Sequence, residues 1–197
     1  MLDRVVLASS NPGKLRELSE LLAAQRVQVL SQDALAISGA EETGATFIEN
    51  ALLKARHASR ESGLPALADD SGLVVDALHG APGLYSARYA GPGASDADNN
   101  RRLIAALHDL PPPWSARYHA CIVLLRHAED PCPVIAEADW EGEIQATAAG
   151  DGGFGYDPHF YLPQLRLTAA QMSSAQKNRC SHRALALQAL LRRWPRG

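Results

Sequence analysis

Two hydrophobic periods alternate along this chain, and their order restricts the fold more than any other feature of the sequence. Residues 4–9 (RVVLAS) are short, apolar and β-branched, as a buried strand requires. They run straight into Asn11-Pro12, a good N-cap followed by a proline suited to the first helical position. Leu15, Leu18, Leu21 and Leu22 then recur at helical spacing, so a helix is predicted over 12–24, with a strand over 27–30. Thr46-Phe47-Ile48-Glu49 is a capping box that opens a second helix to about Ser62. Residues 66–68 and 73–77 are predicted as strands flanking a turn at Asp69-Asp70-Ser71-Gly72. Ser95-Asp96 caps a third helix, which Pro111-Pro112-Pro113 terminates. Two long strands, 116–126 and 134–147, are separated by a turn at Ala128-Glu129-Asp130-Pro131, and 160–162 is a last strand. One helix is predicted from Ser173 or Ser174 to about Trp194. This order, βα first, then a β-hairpin, then helix, predicts an α/β fold with a mixed sheet rather than a bundle or a sandwich.

At 197 residues the chain can bury a core without staples, and it reads as one domain over 1–197. Its net charge of −3 excludes a whole-chain basic footprint, so no nucleic-acid partner is expected. No run reaches the length of a transmembrane helix, and the opening run 1–7 lacks the parts of a secretory signal, so a cytoplasmic protein without a membrane partner is expected. Three cysteines, Cys121, Cys132 and Cys180, with no C-x-x-C pair, read as free thiols rather than a disulfide frame or a zinc site.

Four constellations carry candidate chemistry. Ser9-Ser10-Asn11-Pro12-Gly13-Lys14 joins a strand to a helix start, where free N–H groups and the helix dipole favour phosphate and Lys14 adds a full charge. It is not a Walker A loop, and an ordinary capped turn with a solvated lysine would look the same. Glu41-Glu42 and Asp69-Asp70 offer hard oxygen ligands for Mg²⁺ or a base for water, although Asp, Ser and Gly also build plain turns. Gly152-Gly153-Phe154-Gly155-Tyr156-Asp157-Pro158 offers close backbone approach, a ring that could stack on a base, and a carboxylate for ring N–H groups. The same pattern fits a glycine-rich turn with its aromatics in the core. Lys177 and Arg183 are six apart and would share a site only if the helix breaks near Cys180-Ser181. Phosphate donors, acids, an aromatic shelf and a basic helix end together suit a nucleoside triphosphate and a hydrolytic water.

In the blocks ASSNPGK, EETGATFIENALLKA, ADDSGL, GAPGLYSARYAG, GGFGYDP and KNRCSHRALAL, in that order, the chain resembles the inosine/xanthosine triphosphate pyrophosphatase family. The resemblance implies an elongated α/β fold with flanking helices, two lobes around a central substrate cleft, and a homodimer. It implies hydrolysis of dITP, ITP and XTP to the monophosphate and pyrophosphate with Mg²⁺. Matched to the motifs, Ser9, Ser10, Asn11, Pro12, Gly13 and Lys14 form the phosphate turn. Glu41 and Asp70 are the metal-associated acids, with Asp70 the proton acceptor and Asp69 its neighbour. Lys54 and Ser71 contact substrate, Phe154, Gly155, Tyr156 and Asp157 form the base segment, and Lys177, His182 and Arg183 complete recognition. Donors from His182 or Arg183 toward a 6-oxo group would favour inosine and xanthosine over adenosine. A pyrophosphatase for modified pyrimidine nucleotides and a non-catalytic nucleotide-binding module are the rival readings; the acids Glu41, Asp69 and Asp70 and the negative charge count against the second.

Overall fold

A computed structural model describes residues 3–25 and 27–194; Met1 and Leu2 of the opening run lie outside them. The strands are β1 (Arg4–Leu7), β2 (Gln28–Ser31), β3 (Ala66–Val75), β4 (Trp114–Leu125), β5 (Val134–Ile144), β6 (Phe160–Leu162) and β7 (Leu167–Thr168). The helices are α1 (Pro12–Leu22), α2 (Phe47–Ser62), α3 (Asp96–Leu107), α4 (Ser174–Cys180) and α5 (His182–Arg192). The strands form one mixed sheet in the order β2-β1-β3-β4-β5-β6-β7. β1 pairs parallel with β2, Val5 opposite Val29, and with β3, Leu7 opposite Leu67. Parallel neighbours need a crossover, and α1 supplies the one between β1 and β2. β6 pairs antiparallel with β5 and β7.

The chain divides into two compact units. The first contains the chain up to Asp70, Ala120–Ala138, and the chain from His182 onward. Its strands β1 and the first half of β3 are buried on both faces, and side-chain alternation sorts their residues between two clusters. Val5, Leu7 and Leu67 pack with Leu18 and Leu22 of α1 and with Leu187 and Leu190 of α5. Val6, Ala66 and Ala68 face the other way, onto Ala51, Ala55 and Ala58 of α2. The second unit, Ser71–His119 and Asp139–Ser181, is built around Phe160, which is fully buried. The Tyr118 and Trp140 rings lie 4.5 and 5.4 Å from the Phe160 ring, centroid to centroid.

Two predicted features are corrected. Asp69-Asp70-Ser71-Gly72 is not a turn: β3 runs through it without a break. Charged residues sit in mid-strand because partner cations meet them on both faces. The predicted single C-terminal helix is two, since Ser181 is extended (φ −70°, ψ 156°) between α4 and α5. The short β7 was not foreseen. The thiols of Cys121, Cys132 and Cys180 are free. Among the described residues no helix is long and apolar enough to cross a membrane.

Candidate active site

In the first unit β1 ends at Leu7 and the chain turns into α1 as the sequence predicts. The Asn11 side chain accepts from the Lys14 amide at 3.0 Å, and Ser9 Oγ accepts from the Asn11 amide at 3.2 Å. Pro12 sits at the start of the helix, where a missing N–H costs nothing. Ser10 is tied in by two contacts that spacing did not reveal: it donates to Asp33 Oδ1 at 2.9 Å and accepts from Gln32 Nε2 at 2.8 Å.

Period-two alternation along β3 decides where the two aspartates go. Asp69 shares a face with Leu67, toward α1 and α5; Asp70 shares a face with Ala66 and Ala68, toward α2. Lys14 of α1 accordingly reaches Asp69 at 2.8 Å, and Arg183 Nε of α5 lies 3.4 Å from the same oxygen. The Arg183 guanidinium also donates to Glu17 at 2.6 Å. On the other face Lys54 of α2 donates to Asp70 at 2.5 Å and lies 3.1 Å from Glu42.

The two carboxylates differ in proton affinity. Burial alone would raise both. At Asp69 the Lys14 and Arg183 charges overcome burial and hold its carboxyl far below the usual range. At Asp70 burial outweighs Lys54, and the carboxyl is raised. Burial disfavours charge on Lys54 too, but Asp70 and Glu42 outweigh it and raise its pKa. One strand thus carries a fixed anion next to a more basic carboxylate.

This cluster sets three cations, Lys14, Lys54 and Arg183, against four carboxylates, Glu17, Glu42, Asp69 and Asp70. A set with excess negative charge repels a polyphosphate, so a divalent cation fits its chemistry. Among the described residues no three His, Cys, Asp or Glu side chains gather as a metal cage. Glu41, the expected second acid, is exposed in the loop before α2, and its neighbour Glu42 is the residue at Lys54. His182 and Arg183 are both buried. Ser71 continues β3 and is half-buried.

The second unit holds the Phe154–Asp157 segment. Asp157 was expected to accept from a base, but both of its oxygens have protein donors. Lys177 Nζ lies 2.6 Å and the Phe154 amide 2.9 Å from Oδ2, and the Tyr118 hydroxyl lies 3.2 Å from Oδ1. The Lys177 ammonium also stands 5.1 Å from the centre of the Phe154 ring, a cation–π contact. Gly153 serves this arrangement. Its φ is +73°, and a Cβ there would lie 2.0 Å from Asp157 Oδ2. Tyr156 is buried and donates through its hydroxyl to Ser86 O at 2.7 Å.

Within the first unit the structure therefore gathers Lys14, Lys54, Asp69, Asp70 and Arg183; within the second it gathers Phe154, Asp157 and Lys177. Sequence reasoning missed Glu17 and Tyr118, and it named Glu42 as a possible metal ligand but not as the partner of Lys54. Glu17 had a signal, since it follows Lys14 by three on one helix face. Tyr118 had none, because a buried strand tyrosine reads as core.

The model of the Ham1 family matches residues 5–193. The dITP/XTP pyrophosphatase of Thioalkalivibrio sulfidiphilus is 56% identical over 191 residues, covering 96% of this chain and 97% of that protein. A solved HAM1 protein from Coxiella burnetii superposes with a TM-score of 0.88 at 46% identity, covering 96% of each chain. The Staphylococcus aureus Ham1 protein superposes with a TM-score of 0.83 at 38% identity, covering 98% of this chain and 100% of that one.

Proposed function

The chain belongs to the Ham1 family, and from that premise we propose that it hydrolyses non-standard purine nucleoside triphosphates, dITP, ITP and XTP, to the monophosphate and pyrophosphate. The observation that carries this reading is the buried charge cluster of the first unit, where one strand presents a fixed anion and a raised carboxylate to three cations.

Each residue then has a role set by its chemistry. The α1 N-terminus with Ser9, Ser10, Asn11, Pro12, Gly13 and Lys14 binds phosphate oxygens, and Lys54 adds charge. Asp70 takes the proton of the attacking water. Burial raises its pKa, which makes it a better base than an exposed aspartate. Water oxygen bonds to phosphorus at the α–β anhydride, the proton goes to Asp70, and pyrophosphate departs with its charge met by the lysines. Asp69 takes no proton; it pairs with Lys14 and Arg183 and holds both in place. Asp70 with Glu41 or Glu42 would hold Mg²⁺, which when bound neutralises phosphate charge. Ser71 contacts substrate. Phe154, Gly155, Tyr156 and Asp157 form the base segment, with Phe154 as the stacking ring and Asp157 acting through Phe154 and Lys177. His182 and Arg183 donate toward the 6-oxo group. Residues 1–197 act as one functional domain, and the protein works as a homodimer in the cytoplasm, with no nucleic-acid or membrane partner.

Steady-state kinetics across nucleotides test this. ITP, dITP and XTP should exceed ATP and modified pyrimidine nucleotides in kcat/KM by about 100-fold or more, with activity lost in EDTA and restored by Mg²⁺. Equal rates on all triphosphates, or turnover undiminished in EDTA, would contradict it.

A further inference from the structure

The base segment is gripped from a second side by residues that no motif flagged. Gly155 has φ +63°, a left-handed conformation that glycine adopts without strain. Both of its backbone polar groups are taken by side chains of α3. The Gly155 amide donates to Asp96 Oδ2 at 2.6 Å, and the Gly155 carbonyl accepts from Asn100 Nδ2 at 2.8 Å. Asp96 and Asn100 lie one helical turn apart, and Asn100 Nδ2 also donates to the Asp96 carbonyl at 2.8 Å.

Two further observations show that these bonds hold the segment rather than decorate it. Asp96, Asn100, Phe154 and Gly155 all line an open cavity of about 1080 Å³, so core packing does not fix the segment on that side. Asn100 is 9% exposed, and its Oδ1 is buried with no donor among the described residues. A buried acceptor left unmet is costly, so a side chain that keeps one has a use for its other end. Here that end is an amide group spanning two carbonyls.

We infer that Asp96 and Asn100 are positioning residues for nucleotide recognition: by clamping both polar atoms of Gly155 they fix the plane of the neighbouring Phe154 ring. Asp157 holds the Phe154 amide from one side and α3 holds Gly155 from the other, so the ring is presented in one orientation. The α3 pair acts through the Gly155 backbone. Their effect falls on how the heterocycle is held and not on the reacting phosphate. This inference rests on the proposed nucleotide pyrophosphatase activity for its catalytic consequence, but not for the clamp itself.

Three readouts test it on the whole protein. In Asn100→Ala, hydrogen exchange of the Phe154 amide, whose acceptor Asp157 is untouched, should quicken about tenfold. KM for ITP should rise about five- to tenfold, with kcat falling less than KM rises. Inhibition by inorganic tripolyphosphate, which has no base, should stay within about twofold of the wild-type value. Asn100→Asp, isosteric but without the amide donor, should follow Asn100→Ala, whereas Asp96→Asn keeps an acceptor for Gly155 and should retain most of the wild-type KM. Unchanged exchange at Phe154, or tripolyphosphate inhibition weakening in step with ITP, would overturn the inference. A wild-type protein inert toward ITP, dITP and XTP would instead refute the proposed activity, while the exchange result would still judge the clamp.

Discussion

Asp69 and Asp70 are neighbours in sequence and opposites in chemistry, because a strand turns consecutive side chains to opposite faces. Removing either one therefore has a different result. Asp70→Asn should lower kcat by about two orders of magnitude, the worth of a placed general base, measured at saturating ITP. Its stability should change little, since Lys54 keeps Glu42 as a partner. Asp69→Asn leaves Lys14 buried against a neutral amide, while Arg183 keeps only Glu17, and should cost about 3 kcal/mol in urea denaturation. If the two variants lost the same property, the division of labour along β3 would be wrong. Gly153→Ala should weaken nucleotide binding more than it lowers kcat, because the added methyl displaces the carboxylate that holds Phe154 and Lys177. The motif residues were legible at this scale because phosphate, acid and aromatic chemistry each need particular side chains. The pairings of Glu42 with Lys54 and of Tyr118 with Asp157 were not, since a contact between distant segments leaves no local pattern.

Among the elements, capping chemistry was the most readable. Asn11 and Thr46 cap the helices that the sequence assigned to them, and Ser95 closes a reciprocal capping box with Asp98. β3 was misread because two adjacent aspartates resemble a turn; only the cations of α1, α2 and α5 make them tenable in a strand. The break at Ser181 was anticipated as a condition for Lys177 and Arg183 to do related work, not as a boundary. Lys177 meets Asp157 and Arg183 meets Asp69, each inside its own unit. The turn between β4 and β5 was predicted, but not what stabilises it. Asp130 is buried there and accepts from the Arg126 side chain at 2.6 and 2.8 Å and from the Arg126 and Cys132 amides at 3.0 and 2.9 Å. Hydrogen bonding from Arg126 holds its carboxyl well below the ordinary range. A depressed folded pKa contributes stability above the unfolded pKa and loses it as pH falls toward the folded one. Asp130→Ala should therefore cost about 1–2 kcal/mol at pH 7, a modest figure because Arg126 is half-exposed. The gap to wild type should narrow below about pH 4 in thermal melts. A gap constant from pH 7 to pH 2.5 would show that the ion pair contributes nothing.

Taken as a whole, the molecule keeps two cores for two kinds of work. The first unit sandwiches its sheet between leucines of α1 and α5 and alanines of α2, and this rigid frame holds the charge cluster. Leu67→Ala, in the middle of the first cluster, should cost about 2–5 kcal/mol and lower activity only as far as it unfolds the protein. The second unit stacks its aromatics on Phe160 and carries the base segment. The α/β class and mixed sheet followed from the order of periodicities, but the partition into two units did not, because β3, β4 and β5 each contribute residues to both. The decisive measurement is the identity of the products when ITP and Mg²⁺ are mixed with the protein. Inosine monophosphate and pyrophosphate in equal amounts are predicted; inosine diphosphate with orthophosphate, or no turnover, would contradict the account.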